Sequence, residues 1–364
     1  MSEPTQEEVI SLVSSVFEIK SFNQNLDALQ FEIDQKEFKP KFVQLAQSLE
    51  PINCICRLER SSEGRLYILV NRLPPITTKS RRIPKSWIPR ILFAIVIAFT
   101  MIDGYYRTIG ANSLVYVGEP LEIAGLYTLS LLGILGVHES GHLIAAKMHK
   151  IRTSWPYFIP GIPVFGIPTF GAFIQSRGLT INRDILFDIA IAGPIAGFVV
   201  AVIVSIYGAY TSPLIDGHIA GDLFEKSELV KMNENILITM ILVIFGKTGE
   251  GTEVIMTPVL FAGWLGFLIT FLNLLPAWQL DGGHIARTLF GQKWHKIATY
   301  ASMIVLAALG YYIMAIFILL MSSRNQGARP LDDISPLSSK RKKLFVLVIG
   351  LAVVCAPLPF SILP

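Results

Sequence analysis

Charged residues are scarce in this sequence, and cysteines are nearly absent. Only 16% of the 364 residues are charged, 52% are hydrophobic, and the mean hydropathy is +0.53. Soluble domains carry more charge, so this composition indicates a membrane protein. The net charge of +4 is too small to predict nucleic-acid binding. The three cysteines, Cys54, Cys56 and Cys355, form no C-x-x-C pair, which excludes a disulfide framework and leaves structural roles for them.

Long apolar runs are present instead, and they predict helices that cross a bilayer. About 20 apolar residues are needed to cross a bilayer core of about 30 Å. We therefore expect a polytopic α-helical membrane protein with about six transmembrane helices. The runs lie near 91–102, 124–147, 185–210, 258–276, 296–321 and 344–362, with a shorter stretch at 236–245.

Residues 1–76 mix polar and apolar residues, which predicts a small soluble α+β domain, and we expect this domain to be cytoplasmic. The first residues lack the basic start and apolar stretch of a signal peptide, so we expect no cleaved leader. A basic linker, 77–90, then leads to a membrane-embedded domain, 91–364. The predicted elements of the first domain are helices at 7–18 and 39–49 and strands at 29–33, 52–59 and 66–71.

The basic residues predict the orientation of the chain in a cell membrane. By the positive-inside rule the linker keeps the first domain cytoplasmic, so the second helix returns to the cytoplasmic side. One segment conflicts with simple counting, because Lys340–Lys343 would then lie outside. Two alternatives remove the conflict: either 236–245 crosses the membrane, or 296–321 turns back at Gly310.

The stretch 155–175 is apolar but contains four prolines with interleaved glycines, so a regular helix is excluded. Non-helical backbone at membrane depth survives only when it is buried in protein or lines a wet cavity. We expect a re-entrant or interfacial loop. Its residues 171–174 could offer a strand edge to an unwound substrate, or the loop could make no substrate contact at all.

The second long run ends in an H-E-x-x-H motif, formed by His138, Glu139 and His142. Two histidines four residues apart lie on one face of a helix, where both imidazoles can bind a single zinc. The intervening Glu139 can polarise a zinc-bound water, which is the chemistry of a zinc hydrolase. Because the preceding residues are compatible with lipid, the sequence predicts a protease that works inside the membrane.

A catalytic zinc needs a third protein ligand and an open position for water. Position 148 is Met where a metzincin has a third His, and no Glu occurs between Glu139 and Glu225. The best candidate is Asp281, in a segment that runs from Asn273 to Gly283 at the end of an apolar run. One Zn²⁺ per chain is therefore expected on His138, His142 and Asp281.

The paired motifs, H-E-x-x-H and N-x-x-P-x-x-x-L-D-G, resemble those of the site-2 protease family of intramembrane zinc metalloproteases. The sequence around these motifs, such as HESGHLIAAK and FLNLLPAWQLDGGH, is similar to that of the archaeal, cyanobacterial and chloroplast branch of the family, whose members have a soluble N-terminal domain. The likeness covers roughly 80–364. It implies that His138, His142 and Asp281 bind zinc and that Glu139 is the base. A chloroplast or thylakoid membrane is implied if the organism has plastids.

The expected reaction is hydrolysis of a peptide bond within or near a membrane-spanning segment of a substrate protein, by Glu-assisted attack of zinc-bound water. The expected partners are that substrate and the lipid bilayer. The alternative is a membrane transporter or channel that uses the same ligands for a transient zinc site. Such a pathway should place ionisable residues at several depths, whereas here they cluster near one end of the helices.

Three further polar residues have two interpretations each. Asn273 either binds substrate backbone or the developing oxyanion, or bridges helices as a satisfied amide. Asp188 is either functional or an interfacial cap that pairs with Arg183. His284 is either a spare zinc ligand or a hydrogen-bond partner of a ligand, or it is a structural residue at the start of a helix.

Overall fold

A computed structural model describes most of the chain. The described residues are 5–25, 28–33, 38–72, 87–151, 153–154, 156–162, 167–173, 180–225, 234–249, 251–324 and 329–358. Most of the predicted basic linker, 77–90, lies outside them. Its last residues, 87–90, belong to the start of the first long helix.

The described residues between 5 and 72 form an α+β unit, called here the N-terminal unit. Its four strands make one antiparallel sheet in the order β1-β2-β4-β3, so β1 and β3 are the edges. Its elements are α1 (Gln6–Val16), β1 (Ile19–Asn25), β2 (Ala28–Ile33), α2 (Lys39–Leu49), a 3₁₀ turn (Glu50–Ile52), β3 (Cys54–Arg60) and β4 (Leu66–Arg72).

The two helices pack on one face of this sheet. Phe31, Phe42 and Leu45 are fully buried there, and so is Cys56. Burial raises the pKa of the Cys56 thiol to about 12, as expected for a thiol that packs in a core. The sequence did not predict β1, because its residues IKSFNQN are mostly polar; an edge strand needs little apolar surface.

The rest of the described chain is mostly helical. Three of its helices are long and apolar enough to cross a membrane: Ile88–Asn112, Pro120–Met148 and Arg183–Thr211. The elements are α3 (Ile88–Asn112), α4 (Pro120–Met148), β5 (Tyr157–Ile162), β6 (Ile167–Phe173), α5 (Arg183–Thr211), β7 (Leu214–Asp216), α6 (Gly217–Glu225), β8 (Glu234–Asn235), α7 (Ile236–Ile244), β9 (Thr252–Val254), α8 (Pro258–Leu274), α9 (Asp281–Ala308), α10 (Tyr312–Arg324), α11 (Ser339–Cys355) and β10 (Pro357–Leu358).

The predicted count of about six spans is not confirmed: among the described residues three helices are long and apolar enough to cross a membrane, with shorter apolar helices at α8 and in α10. The ladder β7–β9 joins the two ends of the segment between α5 and α8, and the ladder β8–β10 joins the start of α7 to the residues after α11. A membrane-protein fold is supported, while the total number of spans stays a prediction.

Small residues let α4, α5 and α8 approach one another closely. A Cβ at Gly208 of α5 would lie 2.6 Å from the Leu260 backbone of α8. A Cβ at Gly141 of α4 would lie 2.5 Å from the Ala192 carbonyl oxygen of α5. Without a hydrophobic driving force between helices in lipid, close van der Waals packing of this kind holds a bundle together.

The proline-rich stretch forms an antiparallel hairpin of β5 and β6, and Ile174 of the predicted strand edge lies outside the described residues. The hairpin packs on α3, where the rings of Phe93 and Phe158 are 4.8 Å apart. Non-helical backbone is thus present where the prolines predicted it.

The run 296–321 is not one helix, because the chain breaks at Gly310, whose φ is +85°. The next helix, α10, packs back against α9. Residues beyond α10 then return to the N-terminal unit, where Leu58 donates a backbone hydrogen bond to Leu331 at 3.0 Å. The stretch 236–245 forms only α7, nine residues or roughly 13 Å, too short to cross. Of the two alternatives, the structure has the turn at Gly310.

Candidate metal centre

The H-E-x-x-H motif lies within α4, two to three turns before the helix ends. His138 and Glu139 are buried, with 3% and 7% exposure. The end of α4 packs on the N-terminal unit through Ala146. The motif therefore lies inside the helix bundle, on the side where the N-terminal unit sits.

Asp281 is brought to this point by a tight loop between α8 and α9. Pro276 follows the end of α8, and Trp278 adopts a positive φ of 44°. Two residues of α9 hold that loop: Thr299 accepts a hydrogen bond from the Trp278 backbone N–H at 3.0 Å, and His295 donates to its carbonyl at 2.9 Å. Asp281 then begins α9.

Steric constraints explain why two glycines follow Asp281. A Cβ at Gly282 would overlap the Leu274 carbonyl, and a Cβ at Gly283 would overlap the Ala277 carbonyl. Only glycine lets the start of α9 lie this close to the loop. The D-G-G sequence is thus a requirement of the backbone path that delivers the Asp281 carboxylate.

Three ligand atoms meet in a triangle. His138 Nε2 and His142 Nε2 are 3.1 Å apart, and Asp281 Oδ2 lies 3.4 Å and 3.3 Å from them, respectively. Ligands about 2.0–2.1 Å from a tetrahedral zinc lie roughly 3.3 Å from one another. Among the described residues, these three form a group of His, Cys, Asp and Glu side chains that could hold a metal ion. The donor set and its spacing therefore fit zinc.

The protonation of His142 also suits a metal ligand. Its Nδ1 is 2.7 Å from the Ile189 carbonyl oxygen of α5. A carbonyl can only accept, so Nδ1 carries the proton and the Nε2 lone pair faces the triangle. Such a partner fixes both the tautomer and the orientation of the ring.

Two glycines of α5 make room for the imidazoles. A Cβ at Gly193 would overlap His142 Nε2, and a Cβ at Gly197 would lie 3.0 Å from His138 Cβ. The structure shows close packing against the two histidines. Neither these contacts nor the Ile189 carbonyl can be predicted from motif spacing.

Glu139 and Asn273 have side-chain groups that make no hydrogen bond to the described residues. In the described part of the chain, the buried Glu139 carboxylate accepts no hydrogen bond, and the half-buried Asn273 amide in the last turn of α8 makes none. Asn273 therefore does not bridge helices here. Its amide is left available for another partner.

Asp188 lies apart from the triangle in an ion cluster. It accepts hydrogen bonds from Arg341 Nε at 2.6 Å and contacts His149 Nε2 at 2.9 Å. The expected pairing with Arg183 is wrong, because Arg183 pairs with Asp333 at 3.1 Å. This cluster connects the ends of α4, α5 and α11. His284 is also not one of the three residues of the triangle.

The family model of peptidase family M50 matches residues 126–318. Similar proteins include the probable zinc metalloprotease EGY2, chloroplastic, of Arabidopsis thaliana, 30% identical over 242 residues, which are 63% of this chain and 41% of the relative. The protein of the same name from Oryza sativa subsp. japonica is 28% identical over 363 residues, 88% of this chain and 61% of the relative.

A third relative, the probable zinc metalloprotease EGY3, chloroplastic, of Oryza sativa subsp. japonica, is 26% identical and covers 83% of this chain and 51% of its own length. The chain thus spans between two fifths and about three fifths of the length of these relatives. No solved structure gives a significant match.

Proposed function

The chain belongs to peptidase family M50, whose model covers more than half of it, and from that premise we propose that it is an intramembrane zinc endopeptidase. It would hydrolyse a peptide bond within or near a membrane-spanning segment of a substrate protein. The predicted resemblance to the site-2 proteases is confirmed by the family match, and the relatives' names support both the zinc and the metalloprotease class.

The observation that carries the proposal is the triangle of His138, His142 and Asp281 inside a bundle of apolar helices. Two imidazoles and a carboxylate are a normal ligand set of catalytic zinc, and they leave the fourth position open. When bound there, zinc would supply Lewis-acid chemistry: it would lower the pKa of a water molecule to ~7 and would polarise a carbonyl oxygen.

Glu139 is the proposed general base. It follows the ligand His138 directly, and its carboxylate is buried without a hydrogen bond to the described residues. A base must have a free lone pair within reach of the proton that it removes. Glu139 takes a proton from the attacking water and passes it to the leaving amine, which otherwise would be a poor leaving group.

The substrate would be held as an extended strand. A helical peptide bond is shielded by its own hydrogen bonds, so the scissile segment must unwind before it reacts. The free Asn273 amide and the backbone of β6 at Gly171 to Phe173 offer hydrogen-bonding groups for such a segment. Asn273 would contact substrate backbone or the developing oxyanion.

The proposed location is a membrane with the N-terminal unit and the metal centre on its cytoplasmic side. The relatives are named chloroplastic, so a chloroplast membrane, with the unit on the stromal side, is the corresponding location in a plastid-bearing organism. The soluble character of 1–76 and the membrane-embedded character of 91–364 remain part of this proposal.

The test compares Glu139→Gln with Glu122→Gln in the full chain, reconstituted with a model single-span substrate. Glu122 is an exposed residue in the first turn of the same helix and serves as the matched control. Loss of a general base costs about 10²- to 10⁴-fold in rate. We expect Glu139→Gln to bind one zinc and to lose cleavage by that factor, whereas Glu122→Gln cleaves normally. Cleavage and zinc content per chain are measured together.

A zinc chelator should abolish cleavage by the unaltered chain, and restored zinc should recover it. Undiminished cleavage by Glu139→Gln would remove the base from the mechanism. Zinc uptake across the vesicle membrane without any cleavage would favour the transporter instead.

A further inference from the structure

An apolar groove lies between α7, α8, α9 and α11, outside the metal triangle. Its volume is about 360 Å³. Every residue that lines it is apolar. The lining includes Phe271, Leu274, Ile285, Phe345, Val348 and Ile349.

The groove opens sideways, towards the surface that faces lipid. Ile349 and Val353 line it and are nevertheless 49% and 57% exposed. Its lining on α11 begins at Phe345 and ends at Ala356, with helical spacing along one face. At 1.5 Å per residue this face is about 16 Å long, which suits an extended chain that runs along the helix.

A cation, Lys342, lies at the N-terminal end of this face. Lys342 is three residues before Phe345 and seven before Ile349, so it lies on the same side of α11, one turn nearer the helix start. It is exposed, and within the described residues its ammonium group has no ion-pair partner. The neighbouring Arg341 is already engaged by Asp184, at 3.0 Å, and by Asp188.

A peptide is a poor occupant for this groove. Each backbone N–H or C=O that enters needs a hydrogen-bond partner, and an apolar lining supplies none. A hydrocarbon chain has no such groups. The occupant that fits both the apolar groove and the cation above it has an acyl chain joined to a phosphate.

We propose that this groove binds an anionic phospholipid, with one acyl chain along α11 and the phosphate on Lys342. Lys343, next to Lys342, is also an exposed cation without a partner among the described residues, so the local charge favours an anionic over a zwitterionic headgroup. The lining reaches Gly282, next to Asp281, but none of the three residues of the metal triangle lines the groove, so lipid binding can be measured without zinc.

The experiment counts lipids bound to the purified full chain by native mass spectrometry. The probes are phosphatidylglycerol, phosphatidylcholine and, as a headgroup without chains, glycerol phosphate. Lys342→Gln is compared with Lys340→Gln, which removes the same charge from the opposite side of α11. Ile349→Trp, which fills the groove, is compared with Leu347→Trp, which places the same ring on the far face.

We expect phosphatidylglycerol to bind more tightly than phosphatidylcholine, and glycerol phosphate not to bind. Lys342→Gln should weaken phosphatidylglycerol binding about fivefold, the effect of one lysine at a membrane surface. Ile349→Trp should remove one bound lipid of either kind, while both control variants match the unaltered chain.

The proposal is overturned if Ile349→Trp retains the full number of lipids, or if both lysine variants lose affinity equally. It also fails if glycerol phosphate binds as tightly as the lipid. Loss of substrate cleavage in Ile349→Trp with unchanged lipid binding would assign the groove to the substrate and exclude the lipid.

Discussion

At the scale of single residues, the metal centre depends on groups that bind no metal. His142 is held by the Ile189 carbonyl on one ring nitrogen, and the other ring nitrogen lies directly over Gly193. The carbonyl sets the tautomer, and the missing Cβ sets how far the ring can approach α5. Both constraints come from α5, which carries none of the three proposed ligands.

Gly193→Ala should therefore weaken zinc binding although it changes no ligand. The added Cβ would overlap His142 Nε2, so the ring must turn away from His138 and Asp281. Disturbing a group that orients a ligand typically costs about 10- to 100-fold in metal affinity. We expect a loss in that range, measured by zinc competition with a chromophoric chelator.

Gly133→Ala is the matched control, because a Cβ there meets nothing within 4 Å and Gly133 lies on the same helix as the histidines. Its zinc affinity should equal that of the unaltered chain. If Gly193→Ala also binds zinc normally, the close approach of α5 does not position His142.

At this scale the sequence predicts which side chains meet but not what holds them. The spacing of His138 and His142 follows from the helical period, and Asp281 follows from elimination of other carboxylates. The structure brings the three together. Carbonyl partners and glycine contacts depend on how α4 and α5 pack, which motif spacing does not encode.

At the scale of elements, the N-terminal unit rests on the ends of the helices that build the metal centre. Its core is continuous with Ala146 of α4 and Ile185 of α5. Lys39 of α2 pairs with Asp184 at the start of α5 at 2.7 Å, and also donates to the Pro336 carbonyl at 3.0 Å. The unit thus contacts both the helix of the H-E-x-x-H motif and the helix that supports His142.

Lys39→Ala should loosen this contact without unfolding either part. The pair is partly exposed, at 27% and 14%, so its loss should cost less than about 1 kcal/mol. That corresponds to amide exchange up to about fivefold faster at the bonds that join the two parts. Hydrogen exchange with mass spectrometry should show this at the Leu58 amide, which donates a hydrogen bond to the Leu331 carbonyl.

Lys41→Ala removes an exposed lysine from the same helix and is the control for charge and helix propensity. It should leave exchange at the Leu58 amide unchanged. Equal acceleration in both variants would mean that the Lys39–Asp184 pair does not hold the unit in place.

The positions at which helices end or break were the features of the fold that the sequence predicted least well. The apolar run 296–321 looks continuous, because hydropathy does not report backbone angles, yet Gly310 ends one helix and α10 starts the next. The kink within α9 at Gly291, with φ of 77°, has the same cause. The long runs of α3, α4 and α5, by contrast, were predicted well because burial in lipid requires uninterrupted apolar helices.

At the scale of the whole molecule, the surface indicates a membrane environment, and the internal contacts show which segments lie at the same end of the helices. Large apolar side chains stand outside the bundle, including Leu129, Ile304 and Val346, each about 70% exposed. A soluble protein rarely exposes such a surface. Contacts at the ends of the helices place the N-terminal unit and the segment before α11 together, since Leu331 bonds to both Leu58 and Thr180.

The basic start of α11 should therefore lie on the same side of the membrane as the N-terminal unit, and the connection between α3 and α4 on the other. Single cysteines can report this: Ser62→Cys marks the N-terminal unit, Lys340→Cys the start of α11, and Tyr116→Cys the α3–α4 connection. The native cysteines are buried, with exposures of 3% or less, so their background labelling should be low.

A membrane-impermeant maleimide is applied to sealed vesicles of each orientation. Ser62→Cys and Lys340→Cys should react in the same vesicles, and Tyr116→Cys only in those of opposite orientation, because α3 and α4 are long enough to separate the two faces of a bilayer. Reaction of Lys340→Cys together with Tyr116→Cys would show that α9 and α10 do not return the chain across the bundle. The conflict between the basic residues of α11 and the positive-inside rule would then stand again.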